Sequence, residues 1–130
     1  MKFISFLHDN QAKFGIVNNQ AITDLTDKVF GANTLKDLIA VKKISEAKKY
    51  ASENPGNISI DEVEYLPLIP NPGKIICVGL NYSEHVKETN RTVEENPVIF
   101  HRFPESQTAH LQPIQRPVAS DNLDFEGEMA

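Results

Sequence analysis

Residues 74–88 read Lys74-Ile75-Ile76-Cys77-Val78-Gly79-Leu80-Asn81-Tyr82-Ser83-Glu84-His85-Val86-Lys87-Glu88, and the two halves of this stretch differ in kind. Lys74 to Gly79 is an unbroken apolar run, the pattern of a strand buried on both faces. Asn81 suits a helix cap, and Glu84 three residues later completes a capping box, so the chain is predicted to turn from strand into helix. On that helix His85 and Glu88 are i and i+3 and share a face. A carboxylate beside an imidazole fixes its tautomer and strengthens it as a proton acceptor, as a water-activating base requires. The exit of a buried strand is also where catalytic residues collect. The spacing equally fits a solvated surface pair, a partly buried histidine or a pair of metal ligands like those of di-iron bundles. The strand-rich surroundings argue against the last.

Downstream, Pro97 to Arg102 is a second strand candidate, and residues 103–122 read as loop with Pro104, Pro113 and Pro117. Leu123-Asp124-Phe125-Glu126-Gly127-Glu128-Met129 then alternates strictly. On a strand this sets Leu123, Phe125 and Met129 on one face and Asp124, Glu126 and Glu128 on the other. The apolar face predicts packing on a core. The acids, about 7 Å apart per step, repel unless water or a cation occupies their face. Carboxylates without His or Cys select a hard cation, Mg²⁺, Mn²⁺ or Ca²⁺, rather than zinc. The alternative is an exposed strand whose acids keep it soluble.

Upstream, Lys2 to Leu7, Lys13 to Val17 and Ala21 to Leu25 read as three strands of a meander, with turns at Asp9-Asn10 and Asn18-Asn19. A helix capped by Asn33 or Thr34 follows, with Leu35, Leu38 and Ile39 as its apolar stripe. A second helix is expected from about Ser45 to Ser52, ended by Asn54-Pro55-Gly56-Asn57. Ile58 to Leu66 reads as extended. Pro67, Pro70 and Pro72 cannot continue a helix or central strand, so a boundary is predicted between domains 1–66 and 67–130.

The composition is that of a globular chain, with 40% hydrophobic and 24% charged residues. Its net charge of −5 disfavours nucleic-acid phosphates and anionic membrane surfaces as partners. The lone Cys77 forms no internal disulfide and sits in no zinc spacing; its apolar setting marks it as a core residue. The N-terminus lacks a signal-peptide core and no stretch is long enough to span a bilayer, so a cytoplasmic location is expected.

Read in order, these pieces resemble the fumarylacetoacetate hydrolase family: an apolar strand, G-x-N-Y-x-x-H-x-x-E, a P-x-x-F strand, a proline-rich loop and D-[YF]-E-x-E. Here they are Lys74 to Val78; Gly79, Asn81, Tyr82, His85 and Glu88; Pro97 and Phe100; the loop with Pro113 and Pro117; and Asp124 to Glu128. The resemblance implies an α+β protein, with a small N-terminal domain of β-meander and helices before the truncated start of a mixed β-sandwich roll. It implies that Glu126 and Glu128 ligate Mg²⁺ or Mn²⁺, with Asp124 beside them. It makes His85 and Glu88 a catalytic dyad on a mobile lid, and sets Tyr82 and Arg102 at the substrate. Arg102 follows His101 where the family commonly has Lys, and a guanidinium fork is not equivalent to an ammonium.

The implied activity is that of a metal-dependent enzyme on a 2-oxo or 2,4-dioxo acid, by C–C hydrolysis through an enolate. Hydration of a dienoate and decarboxylation of a β-oxo acid are alternatives within the family, and an inert truncated piece is the alternative outside it. The family's third ligand, an Asp, has no counterpart in this chain, which is expected to bind metal poorly and to be inactive by itself. A homodimer is implied for the full-length protein.

Overall fold

The computed structural model describes residues 1–88, 96–123 and 129–130, apart from the side chains of Ser83 and His85. The chain forms two compact units: Met1–Asn71 with Gln107–Pro113, and Pro72–Ser106 with Ile114–Ala130. Among the described residues no helix is long and apolar enough to cross a membrane.

The first unit is built on a five-stranded antiparallel sheet. In chain order its strands are β1 (Lys2–His8), β2 (Gln11–Asn18), β3 (Ala21–Asp24), β4 (Ile58–Ser59) and β5 (Glu64–Tyr65), and across the sheet they run β4-β3-β2-β1-β5. Asp9 and Asn10, at φ 52° and 58°, make the first hairpin, because Asp and Asn accept the left-handed backbone of a two-residue turn. The second hairpin turns at Asn19 and Gln20, φ 48° and 70°, one residue later than predicted. Asn18 instead pairs with Ala21, which brings Ile22 opposite Val17; a turn one residue earlier would set Ile22 against Gly15, which has no side chain to meet it.

Both faces of the central strands are covered. Phe14 and Ile16 pack with Leu25, Leu35, Leu38, Ala47 and Ala51 under the helices α1 (Leu35–Ala40) and α2 (Ile44–Glu53). Ile4, Phe6 and Ile22 form a second cluster with Val17, Ile58, Ile60 and Val63. Thr34 caps α1, its hydroxyl accepting from the Asp37 N–H at 3.1 Å. Ile39 is half exposed instead of joining the predicted stripe, because this six-residue helix buries only Leu35 and Leu38.

The expected extended run over residues 58–66 is broken. Ile60–Glu62 is a 3-10 turn held by a capping box, in which Ser59 Oγ accepts from Asp61 N–H and Glu62 accepts from Ser59 N–H at 3.0 Å. This turn lets the chain pass from one edge of the sheet, β4, to the other, β5.

The second unit contains an antiparallel pair, β6 (Ile75–Gly79) and β7 (Val98–Arg102), with α3 (Ser83–Glu88) following β6. Cys77 is buried, as its apolar run predicts. The run as a whole is not covered on both faces, since Ile76 remains 54% exposed. A pair of strands among the described residues can shield one face, and the Ile76 and Ile99 side chains occupy the other. Leu123 and Met129, expected to pack on a core, are also more than half exposed.

Candidate metal and proton-transfer site

The chain leaves β6 at Gly79 and turns through Leu80, whose φ of 53° is left-handed. A non-glycine residue there costs about 1 kcal/mol or more, so the corner that aims α3 is strained. The Tyr82 carbonyl accepts from the Val86 N–H at 3.1 Å, and α3 begins at Ser83, one residue later than an Asn81 cap would give. Tyr82, 54% exposed, therefore lies at the mouth of the helix. Val86 is buried and anchors the opposite side of α3.

His85 and Glu88 both belong to α3, three residues apart. The His85 side chain lies outside the described residues, and the Glu88 side chain is exposed. Beside them Lys87 Nζ meets Glu84 Oε1 at 3.2 Å, an exposed i,i+3 pair that contributes little to stability.

Arg102 pairs with Ile75 at the far end of the β6–β7 ladder from Gly79, which faces Val98. Four residues of strand separate the two levels, roughly 13 Å. Arg102 shares its face with Phe100 and Cys77, whereas His101 points to the other face and sets its ring edge-on to Phe103, 5.6 Å between centroids. His101 and Arg102 thus cannot serve the same side of the sheet.

Glu126 and Glu128, with Asp124, lie outside the described residues. The residue that follows them does not. Met129 forms an antiparallel bridge with Val78, its carbonyl accepting from the Val78 N–H at 2.9 Å. Met129, the residue after Glu128 in sequence, is thus set beside the strand that leads into α3. Among the described residues no group of three or more His, Cys, Asp or Glu is placed to hold a metal ion. The donor set Glu126-x-Glu128, two carboxylates without sulfur or imidazole, fits a hard divalent cation.

Two features of this region escaped the sequence. The left-handed Leu80 carries no signal, because Leu disfavours that conformation. The return of Gln107–Pro113 to the first unit was hidden in what reads as plain proline-rich loop.

Comparison with known proteins places these features in context. Residues 74–130 match the family described as fumarylacetoacetate (FAA) hydrolase C-terminal. The chain is 37% identical over 87 residues to the mitochondrial oxaloacetate tautomerase fahd2 of Xenopus laevis, covering 67% of this chain and 27% of that protein. It is 38% identical over 69 residues to the human mitochondrial oxaloacetate tautomerase FAHD2A, covering 53% and 22%. It thus spans about a quarter of the length of these relatives. Its fold is similar to the crystal structure of a candidate HpcE protein from Mycobacterium smegmatis, with a TM-score of 0.67 at 22% identity over 90% of this chain and 41% of the other. The α+β architecture, the ordered motifs from Gly79 to Glu128 and these matches together establish that the chain belongs to the fumarylacetoacetate hydrolase family.

Proposed function

We propose that the full-length protein is a divalent-metal-dependent enzyme that makes and uses the enolate of a 2-oxo acid. Glu126 and Glu128 would hold Mg²⁺ or Mn²⁺, and the cation supplies positive charge to an enolate oxygen when bound. His85, oriented by Glu88, takes or returns a proton as α3 closes over the substrate. Tyr82 hydroxyl and the Arg102 guanidinium are donors to substrate oxygens. The observation that supports this reading is the Val78–Met129 bridge, which sets the residue following Glu128 in sequence on the strand entering α3.

The names of the relatives favour tautomerisation of a 2-oxo dicarboxylate such as oxaloacetate. In that reaction His85 removes a proton from C3 and a proton is delivered to the oxygen at C2, or the reverse, with no net change in atoms. The second reading is hydrolysis of a 2,4-dioxo acid, supported by the His85–Glu88 spacing. There water activated by His85 adds to the C4 carbonyl, the C3–C4 bond breaks, and its electron pair leaves as the enolate of the shorter 2-oxo acid. Both use the same enolate, so the substrate decides between them.

The test is an assay of the full-length protein with magnesium, on enol-oxaloacetate and on acylpyruvates. Fast loss of enol absorbance without release of a second acid supports tautomerisation. Stoichiometric release of a carboxylic acid supports hydrolysis. Activity on neither substrate, with the protein folded and loaded with metal, overturns both.

A further inference from the structure

We propose that a cleft beside the start of β1, in the first unit, binds a small organic carboxylate with a flat apolar body. The cleft holds about 460 Å³, within the size range of small-molecule sites. Every residue lining it belongs to that unit, including Thr108, Ala109 and His110 from the returning segment Gln107–Pro113.

The lining divides by chemistry. Ile4, Val17, Ile60 and Leu66 form an apolar floor. Tyr65 and His110 make a wall of two rings at right angles, 4.9 Å between centroids. Lys2, Gln20 and Thr108 bring donors to the same cleft, and with Tyr65 they make no side-chain hydrogen bond to another described residue. A flat apolar ligand would pack on the floor and the Tyr65 ring, with its charged end toward these donors.

Charge selects the ligand's sign. The chain has 18 acidic and 13 basic residues, yet no Asp or Glu lines this cleft and Lys2 does. Two of the acids close by along the chain are engaged outside the cleft. Glu64 accepts from Gln112 Nε2 at 3.3 Å, and Glu62 accepts from the Ser59 N–H at 3.0 Å. An anion therefore meets an ammonium without a competing carboxylate among the lining residues. The ligand is a monocarboxylate with a planar apolar part, and its binding is independent of the metal chemistry proposed for the second unit.

Benzoate titrated into the full 130-residue chain, followed by amide shifts in two-dimensional NMR, tests this directly. Saturable shifts are expected at residues 2–5, 65–68 and 108–110. Benzyl alcohol, which lacks the charge, and acetate, which lacks the flat body, should each bind more weakly than benzoate. Lys2→Gln should weaken benzoate about threefold to fivefold, the range of a solvent-exposed charge pair. Ala109→Trp should abolish binding by filling the cleft, with shifts elsewhere showing that the fold survives. Absence of saturation, shifts centred on other residues, or equal binding of benzyl alcohol would each overturn the proposal. Failure here leaves the proposed activity standing, since neither metal nor turnover enters the measurement.

Discussion

Val78 and Met129 face one another as an antiparallel pair, joined by a 2.9 Å hydrogen bond from the Val78 amide to the Met129 carbonyl. Through it Met129, next in sequence to Glu128, lies against the strand that leads into α3. The proposed roles of Glu126, Glu128 and His85 rest on motifs that flank this pair on either side.

Substitutions in the full-length protein separate the two roles. Glu126→Gln or Glu128→Gln should weaken magnesium binding about tenfold or more, read by calorimetry. His85→Ala should lower turnover about 100-fold while leaving magnesium affinity unchanged. Unchanged magnesium affinity in both glutamate variants would remove them from the metal site, and loss of metal in His85→Ala would make the imidazole a ligand.

Close backbone approaches predict which glycines tolerate a side chain. A β-carbon on Gly15 would stand 2.4 Å from the Thr23 carbonyl oxygen, and one on Gly56 would stand 2.2 Å from the Ile22 carbonyl carbon. Nothing lies within 4 Å of the equivalent point at Gly73. Gly15→Ala and Gly56→Ala should each cost about 2–4 kcal/mol in urea unfolding, while Gly73→Ala stays within about 0.5 kcal/mol of the parent.

Asp24 contributes to the pH dependence of the first unit. Burial pushes its carboxyl pKa up. The Lys13 ammonium at 2.9 Å and the hydroxyl and N–H of Thr26 outweigh that and hold it below the ordinary value. A depressed pKa in the folded state adds stability above the unfolded pKa, and that stability disappears as pH falls through the folded value. Asp24→Asn should therefore cost about 1–3 kcal/mol at pH 7, and the deficit should shrink as the solution is taken below the usual carboxylate range. A pH-independent difference would show that the carboxylate charge contributes nothing.

Relief of the left-handed corner should be measurable. Leu80→Gly is expected to stabilise the second unit by up to about 1 kcal/mol, and Leu80→Val to destabilise it by a similar amount. Hydrogen exchange of β6 amides reads both. A loss of protection in the glycine variant would show that the Leu80 side chain outweighs its backbone strain.

The meander was legible because its turns carry Asp and Asn where left-handed backbone is needed, and because Pro55 and Gly56 end α2 sharply. Its second hairpin slipped by one residue, since Asn18 and Asn19 suit a turn equally and only the pairing of Val17 with Ile22 chooses between them. The break at Ile60–Glu62 was in plain view as Ser59-x-x-Glu62, a capping box overlooked within a stretch read as extended. Of the site, the helical spacing of His85 and Glu88 was visible in the motif itself. The level of Arg102 was not, because the strand register that sets it against Ile75 is a long-range property.

The visit of Gln107–Pro113 to the first unit makes that unit discontinuous along the chain. A single protease cut between Asn71 and Pro72 would yield no complete copy of it, because Tyr65 and Glu64 would be severed from the peptide bearing His110 and Gln112. Gene fusion or recombination at the same point would meet the same obstacle. A whole first unit thus requires both the N-terminal piece and the loop Gln107–Pro113.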